Sequence, residues 1–210
     1  YMEPECRIKT NETGFCTRHF ELMYQRRNRL GLALMTHTHM QEVTKDLKRI
    51  LESGNASKGF FSALRGGKTS PAHGAQIRSR LSGCVICEQM NNALERYAYT
   101  IAQLYGSNAE FKQMFEQSKG FCLPHLALIL DMAEQTLPSS QNAAFTSALA
   151  ALELQNLDRI EKELEWFTLK FDYRNTDKPW GNSRDAVERS INKLMGACVG
   201  EEAQMPAHND

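Results

Sequence analysis

Gly14-Phe15-Cys16-Thr17-Arg18-His19 recurs as Gly120-Phe121-Cys122-Leu123-Pro124-His125, and each copy runs on into apolar residues at helical spacing. After His19 these are Phe20, Leu22 and Met23; after His125 they are Leu126, Leu128 and Ile129. The apolar pattern of Val43 to Leu51 also resembles that of Leu154 to Lys162. A shared G-F-C-x-x-H is not expected by chance in 210 residues, so two related helical units are the simpler account.

Between the copies stands Cys84-Val85-Ile86-Cys87. A C-x-x-C turn can place two sulfurs about one ion, and the next C-x-x-H, Cys122 with His125, can supply the other two ligands of a tetrahedron. The expected metal site is therefore Cys84, Cys87, Cys122 and His125, with zinc as the ion. Both pairs begin helices, where the backbone dipole favours thiolate over thiol. Pro124 suits such a first turn because it has no N–H to leave unsatisfied.

Other readings of these residues stay open. A thioredoxin-like dithiol needs a strand–helix context that the sequence lacks. An iron–sulfur cluster usually takes four cysteines. A catalytic zinc keeps a coordination position open, which three cysteines and a histidine close. No H-x-E precedes a P-C-x-x-C, so the zinc-deaminase pattern fails. Buried cysteines with a core histidine and no metal are the plainest rival.

Cys16 and His19 form a second, incomplete site. By the offset of the repeat, their own C-x-x-C falls ahead of residue 1, so one is expected about twenty residues upstream in the full gene product. The alternative is that Cys16 and His19 join the other four ligands in a shared cluster.

Composition excludes several classes of function. Hydrophobic residues make up 41% and charged residues 24%, which is globular rather than disordered. The 25 Lys and Arg match the 25 Asp and Glu, leaving no global field for nucleic acid or anionic lipid. No apolar run reaches the roughly 18 residues of a membrane span. The grouping of the 6 cysteines suits metal ligation in a reducing, cytoplasmic setting better than a disulfide framework.

The chain divides by pattern into a first helical unit (1–52), a basic linker (53–83), a second helical unit (84–172), and a polar, aromatic loop with a short helix and a disordered tail (173–210). The linker carries Lys58, Arg65, Lys68, Arg78 and Arg80 with no acidic residue; solvation explains it more simply than nucleic-acid contact. Helices are expected over Cys87 to Tyr105, Glu110 to Gln117, Leu123 to Leu137, Asn142 to Phe171 and Asp185 to Leu194. The long one should bury Leu149, Leu152, Leu157, Ile160, Leu164 and Phe167. No segment has a strand period, so the fold class is all-α.

Phe171 to Ser183 crowds Arg174, Asn175 and Trp180 into one turn-rich segment. It reads either as a small-ligand or partner loop or as a capping loop anchored by Trp180. His37 and His39 point to different faces of a helix and do not share an ion. Glu161, Glu163 and Glu165 read as a solvated face, and Cys198 as a lone thiol.

These motifs resemble an uncharacterised bacterial family, a domain of unknown function seen mainly in anaerobic Gram-positive species. The resemblance is carried by Glu3-Pro4, Thr10-Asn11, Gly14-Phe15-Cys16 with His19, Asn28 to Leu34, Cys84 with Cys87, and Ser118 to His125. It continues through Trp166-Phe167 and Lys170 to Asn175 to Lys178-Pro179-Trp180-Gly181. It implies the helical fold and a further N-terminal C-x-x-C, and brings no activity. The functional expectation is thus a zinc-stabilised scaffold or interaction protein, with no catalytic residue assigned and an unknown protein partner. The alternative is a redox or iron–sulfur protein using the Cys3His centre.

Overall fold

The computed structural model describes residues 3–56 and 73–200, as nine α-helices and, among these residues, no strand. The all-α expectation holds. The chain resolves into two compact units, Tyr1–Asn92 and Ala93–Asp210.

In the first unit, α1 (Pro4–Thr13) starts with proline, which its first turn tolerates, and stops at Gly14. α2 (Thr17–Gln25) follows at once, and α3 (Arg29–Ala56) is the long element against which α1 and α2 pack. Polar bonds stitch α1 to α3: Arg7 Nη2 donates to Thr38 Oγ1 at 3.1 Å, and Thr38 Oγ1 donates to Asn11 Oδ1 at 2.6 Å. Half-buried His39 places Nδ1 2.8 Å from the Asn11 carbonyl.

The stretch read as a basic linker is in part helix. Residues 57–72, including Lys58, Arg65 and Lys68, lie outside the described residues, but α4 (His73–Leu81) packs on α3. Ile77 and Leu81 face Val43, Leu47 and Ile50, and Arg80 bonds Asp46 at 2.8 Å. Ile77 and Leu81 as the large apolar residues of nine give too short a period to announce a helix from sequence.

α5 (Val85–Ser107) gives its first turns to the first unit and the remainder to the second. α6 (Ala109–Glu116) is capped by Asn108, whose side chain accepts from the Phe111 N–H. α7 (Leu123–Thr136), α8 (Ser139–Leu169) and α9 (Ala186–Met195) complete the second unit, with α7, α8 and α9 in mutual contact. Its core gathers Ala98, Ala102, Tyr105, Phe115, Ile129, Ala133, Phe145, Leu149 and Leu152. Tyr105 meets Phe115 and Phe145 edge-on at 5.2 and 5.1 Å, the arrangement that aromatic quadrupoles favour. In α8, Leu149, Leu152 and Ile160 are buried as expected, whereas Leu157, Leu164 and Phe167 are only half-buried.

The segment after α8 is satisfied within itself. Lys170, 7% exposed, donates to the carbonyls of Asn175, Thr176 and Lys178 at 2.6–2.9 Å. Arg174 pairs with Asp172, and Asn175 Nδ2 donates to the Leu169 carbonyl at 2.9 Å. The Trp180 ring lies 5.8 Å from that of Phe167.

Candidate metal centre

Each ligand pair stands on a helix start. Cys16 is the N-cap of α2, in extended backbone at φ −72° and ψ 165°, and its carbonyl accepts from the Phe20 N–H at 3.0 Å. A residue three positions later lies above the N-cap on the same side of the first turn, which brings His19 back over the sulfur. Cys16 Sγ and His19 Nδ1 are 3.2 Å apart. Cys84 holds the same place before α5, its carbonyl accepting from the Glu88 N–H at 3.0 Å. The Cys87 N–H points at Cys84 Sγ at 3.5 Å.

The two starts are brought together by the backbone. The Val85 N–H donates to the Gly14 carbonyl at 3.1 Å. Gly14 sits at φ 74° and ψ −154°, a region essentially restricted to glycine. A Cβ there would fall 2.4 Å from His39 Nε2, so the position is closed on steric grounds as well.

Cys16, His19, Cys84 and Cys87 thus place their ligand atoms within 4.8 Å of one another. Cys16 Sγ lies 3.8 Å from Cys87 Sγ, and His19 Nδ1 lies 3.3 and 3.4 Å from the sulfurs of Cys84 and Cys87. Ligands at ordinary zinc bond lengths on a tetrahedron stand roughly 3.5–3.8 Å apart, so the Cys16–Cys87 sulfur spacing already fits and the sulfur–nitrogen spacings need only open slightly around an ion. Cys3His is a donor set suited to soft and borderline cations. Around these atoms, Phe15, Cys84 and Val85 are buried, with Phe20, Met23, Met35 and Ile86 packed against them.

Charge favours ligation. Three thiolates on a divalent ion leave a net negative centre, and the N-termini of α2 and α5 face it with their positive dipole ends. Burial pushes the Cys84 thiol up, but backbone hydrogen bonds from Cys16 and Cys87 and contacts with the Cys87 and His19 side chains bring it down to about 6. Cys87, sharing its hydrogen bond with Cys84, is pushed up to about 11.

The ligand grouping differs from the one read from spacing. Cys84 and Cys87 meet Cys16 and His19 within the first unit; Cys122 and His125 pair with each other in the second, at 3.2 Å. A tetrahedron filled by the first four has no place for the last two. Cys198 is exposed.

Two residues near the second pair went unnoticed in the sequence. Glu153, 3% exposed, accepts the Phe121 N–H on one oxygen and the Lys193 ammonium on the other. Lys193 is 7% exposed and also approaches the Lys119 carbonyl at 3.4 Å. The α8–α9 ion pair therefore secures the backbone leading to Cys122. Their charge, normally a mark of the surface, hid them.

Residues 1–201 match a family described as a family of unknown function, DUF6062. The chain belongs to the DUF6062 family. No curated protein and no solved structure matches the chain. This DUF6062 member accordingly presents a Cys3His cluster able to hold a metal ion, within a family whose function is not known.

Proposed function

We propose that Cys16, His19, Cys84 and Cys87 bind one zinc ion as a structural centre, and that the protein is a non-enzymatic scaffold or interaction protein. The convergence of four ligand atoms within 4.8 Å carries the reading. Three thiolates and an imidazole fill a tetrahedral shell, leaving no open position for a substrate or an activated water. The first unit also needs such a fastener. Among the described residues, its buried apolar cluster comprises Phe15, Cys84 and Val85, smaller than the core of the second unit. Units with little apolar core are commonly stabilised by a metal or disulfides.

The interaction role draws on the outer faces of the same unit. Leu30 is 72% exposed and Met40 62% exposed, with Leu22, Tyr24 and Leu34 exposed as well. Six free cysteines fit a reducing, cytoplasmic setting. No described helix is long and apolar enough to cross a membrane.

The test is elemental analysis of protein purified without chelator. Near-stoichiometric zinc, absent from the Cys16→Ser and Cys84→Ser variants, supports the reading. Iron with inorganic sulfide would move it to redox chemistry, and no metal would retire it.

A further inference from the structure

A cleft of about 420 Å3 in the second unit is lined by Lys119, Arg159, Arg184, Arg189, Glu163 and Asp185. That volume lies within the roughly 300–1,000 Å3 of small-molecule sites. Four of these six side chains are cationic, in a chain whose 25 Lys and Arg balance its 25 Asp and Glu. The positive excess is therefore a property of this place and not of the whole chain.

Both carboxylates of the cleft are already engaged. Arg159 Nη1 donates to Glu163 Oε2 at 2.9 Å, and Arg189 Nη2 donates to Asp185 Oδ1 at 2.9 Å. Arg189 also bonds Glu163 and the Asn182 carbonyl. Lys119 and Arg184, both exposed, make no side-chain hydrogen bond or ion pair among the described residues. The field of Lys119 nonetheless reaches into the cleft: Asp185 is held below its usual carboxylate value chiefly by its hydrogen bonds to Arg189, with the charge of Lys119 adding to the effect. Asp185 is also the N-cap of α9 and makes no side-chain bond to its own helix. Its carboxylate is engaged by Arg189 instead, so the positive end of α9 stands at the cleft without its usual cap.

We propose that this cleft binds one phosphate group, either free phosphate or the monoester of a small molecule. Two positive charges are left over once Glu163 and Asp185 are matched, and a phosphomonoester carries about −1.5 to −2 near neutral pH. A carboxylate would leave one cation unneutralised. The planar guanidinium of Arg184 suits two phosphate oxygens at once, and Lys119 supplies a point charge. The loop after α8 thus contributes Arg184, while Arg174 of the same loop is held by Asp172. The inference stands independently of the Cys16 centre.

The test is isothermal titration of the full chain with inorganic phosphate and with glycerol phosphate, at constant ionic strength in sodium chloride, with amide NMR shifts to locate the site. Saturable binding is expected, moving the amides of Lys119 and of Asn182 to Val187. Lys119→Gln and Arg184→Gln should each weaken it about tenfold or more. Helical circular dichroism should stay unchanged, since neither side chain is bonded to the fold. Lys162→Gln, which removes the same charge from α8 outside the cleft, should leave binding as it was. Preference for glycerol phosphate assigns the ester, and preference for phosphate assigns the free anion. Absence of saturable binding, or equal weakening by all three variants, overturns the inference. So does binding that neither Lys119→Gln nor Arg184→Gln weakens.

Discussion

The backbone N–H of Val85 donates to the carbonyl of Gly14 at 3.1 Å, and so the two halves of the candidate metal centre are joined by a backbone hydrogen bond as well as by their side chains. The turn before α2 and the turn before α5 hold each other in register, and the sulfurs and the imidazole converge within 4.8 Å of one another. Such preorganisation reduces the ordering that metal binding must otherwise supply.

Metal removal should therefore act unevenly. Chelation is expected to loosen α2 and the start of α5, where the buried apolar cluster is small, while α7 and α8, built around Phe145 and Leu149, stay protected. Hydrogen exchange before and after chelator reads this directly. Uniform loss of protection in both regions would contradict a centre that stabilises the first unit.

The ligand assignment separates by single substitutions. Cys16→Ser should abolish stoichiometric zinc, whereas Cys122→Ser should leave it in place. Zinc lost with Cys122→Ser and kept with Cys16→Ser would restore the grouping of Cys84 and Cys87 with Cys122 and His125.

Gly14→Ala is expected to destabilise the protein by about 2 kcal/mol or more, from backbone strain at φ 74° and collision with His39. The midpoint of denaturant unfolding of the metal-loaded protein checks this. A change within a few tenths of a kcal/mol would mean that the turn has another conformation available.

Breaking the Glu153–Lys193 pair should cost about 3–5 kcal/mol, because the surviving charge stays buried without its partner. Glu153→Ala also strips the Phe121 N–H of its acceptor. The double replacement by apolar residues of similar size should recover most of the loss, and comparison of the three unfolding curves tests the coupling.

Glu163 gives a dependence on acid. Burial pushes its carboxyl up, but hydrogen bonds and charge from Arg189 and Arg159 outweigh this and hold it below its usual 4.5. A folded value depressed in this way adds stability that is fully present above about 4.5 and is lost as pH falls through the lower folded value. Since Arg189 lies on α9, exchange protection of α9 should fall in that acid range, and Glu163→Gln should shrink the pH dependence to the part that Asp185, also held low by Arg189, contributes.

Much of this architecture was readable from periodicity. α5 to α9 begin and end within about three residues of where their apolar spacing and their Gly and Pro punctuation put them. The four ligands were each conspicuous as well, because C-x-x-C and C-x-x-H at helix starts have a geometric reason. What spacing did not disclose was which C-x-x-H meets the C-x-x-C. Cys122 is nearer along the chain, and the closure that chose Cys16 is made by α4 packing back on α3 and by the Val85–Gly14 hydrogen bond, which leave no mark in local sequence. Lys170, Glu153 and Lys193 were hidden for a related reason: a charged residue reads as surface until its partners are in place.

His19 and Cys84 are 65 residues apart, so an ion held between them turns an open chain into a closed ring. In the chain-entropy picture a permanent link of that span removes about 4 kcal/mol of freedom from the unfolded state, and a metal crosslink approaches this limit when its ligands stay bound. A ring also tolerates one cut. Cleavage between α3 and α4 would leave two fragments that an ion at this centre, with the α3–α4 packing and the Val85–Gly14 hydrogen bond, clasps together, so that withdrawing the ion opens the strongest of three fastenings.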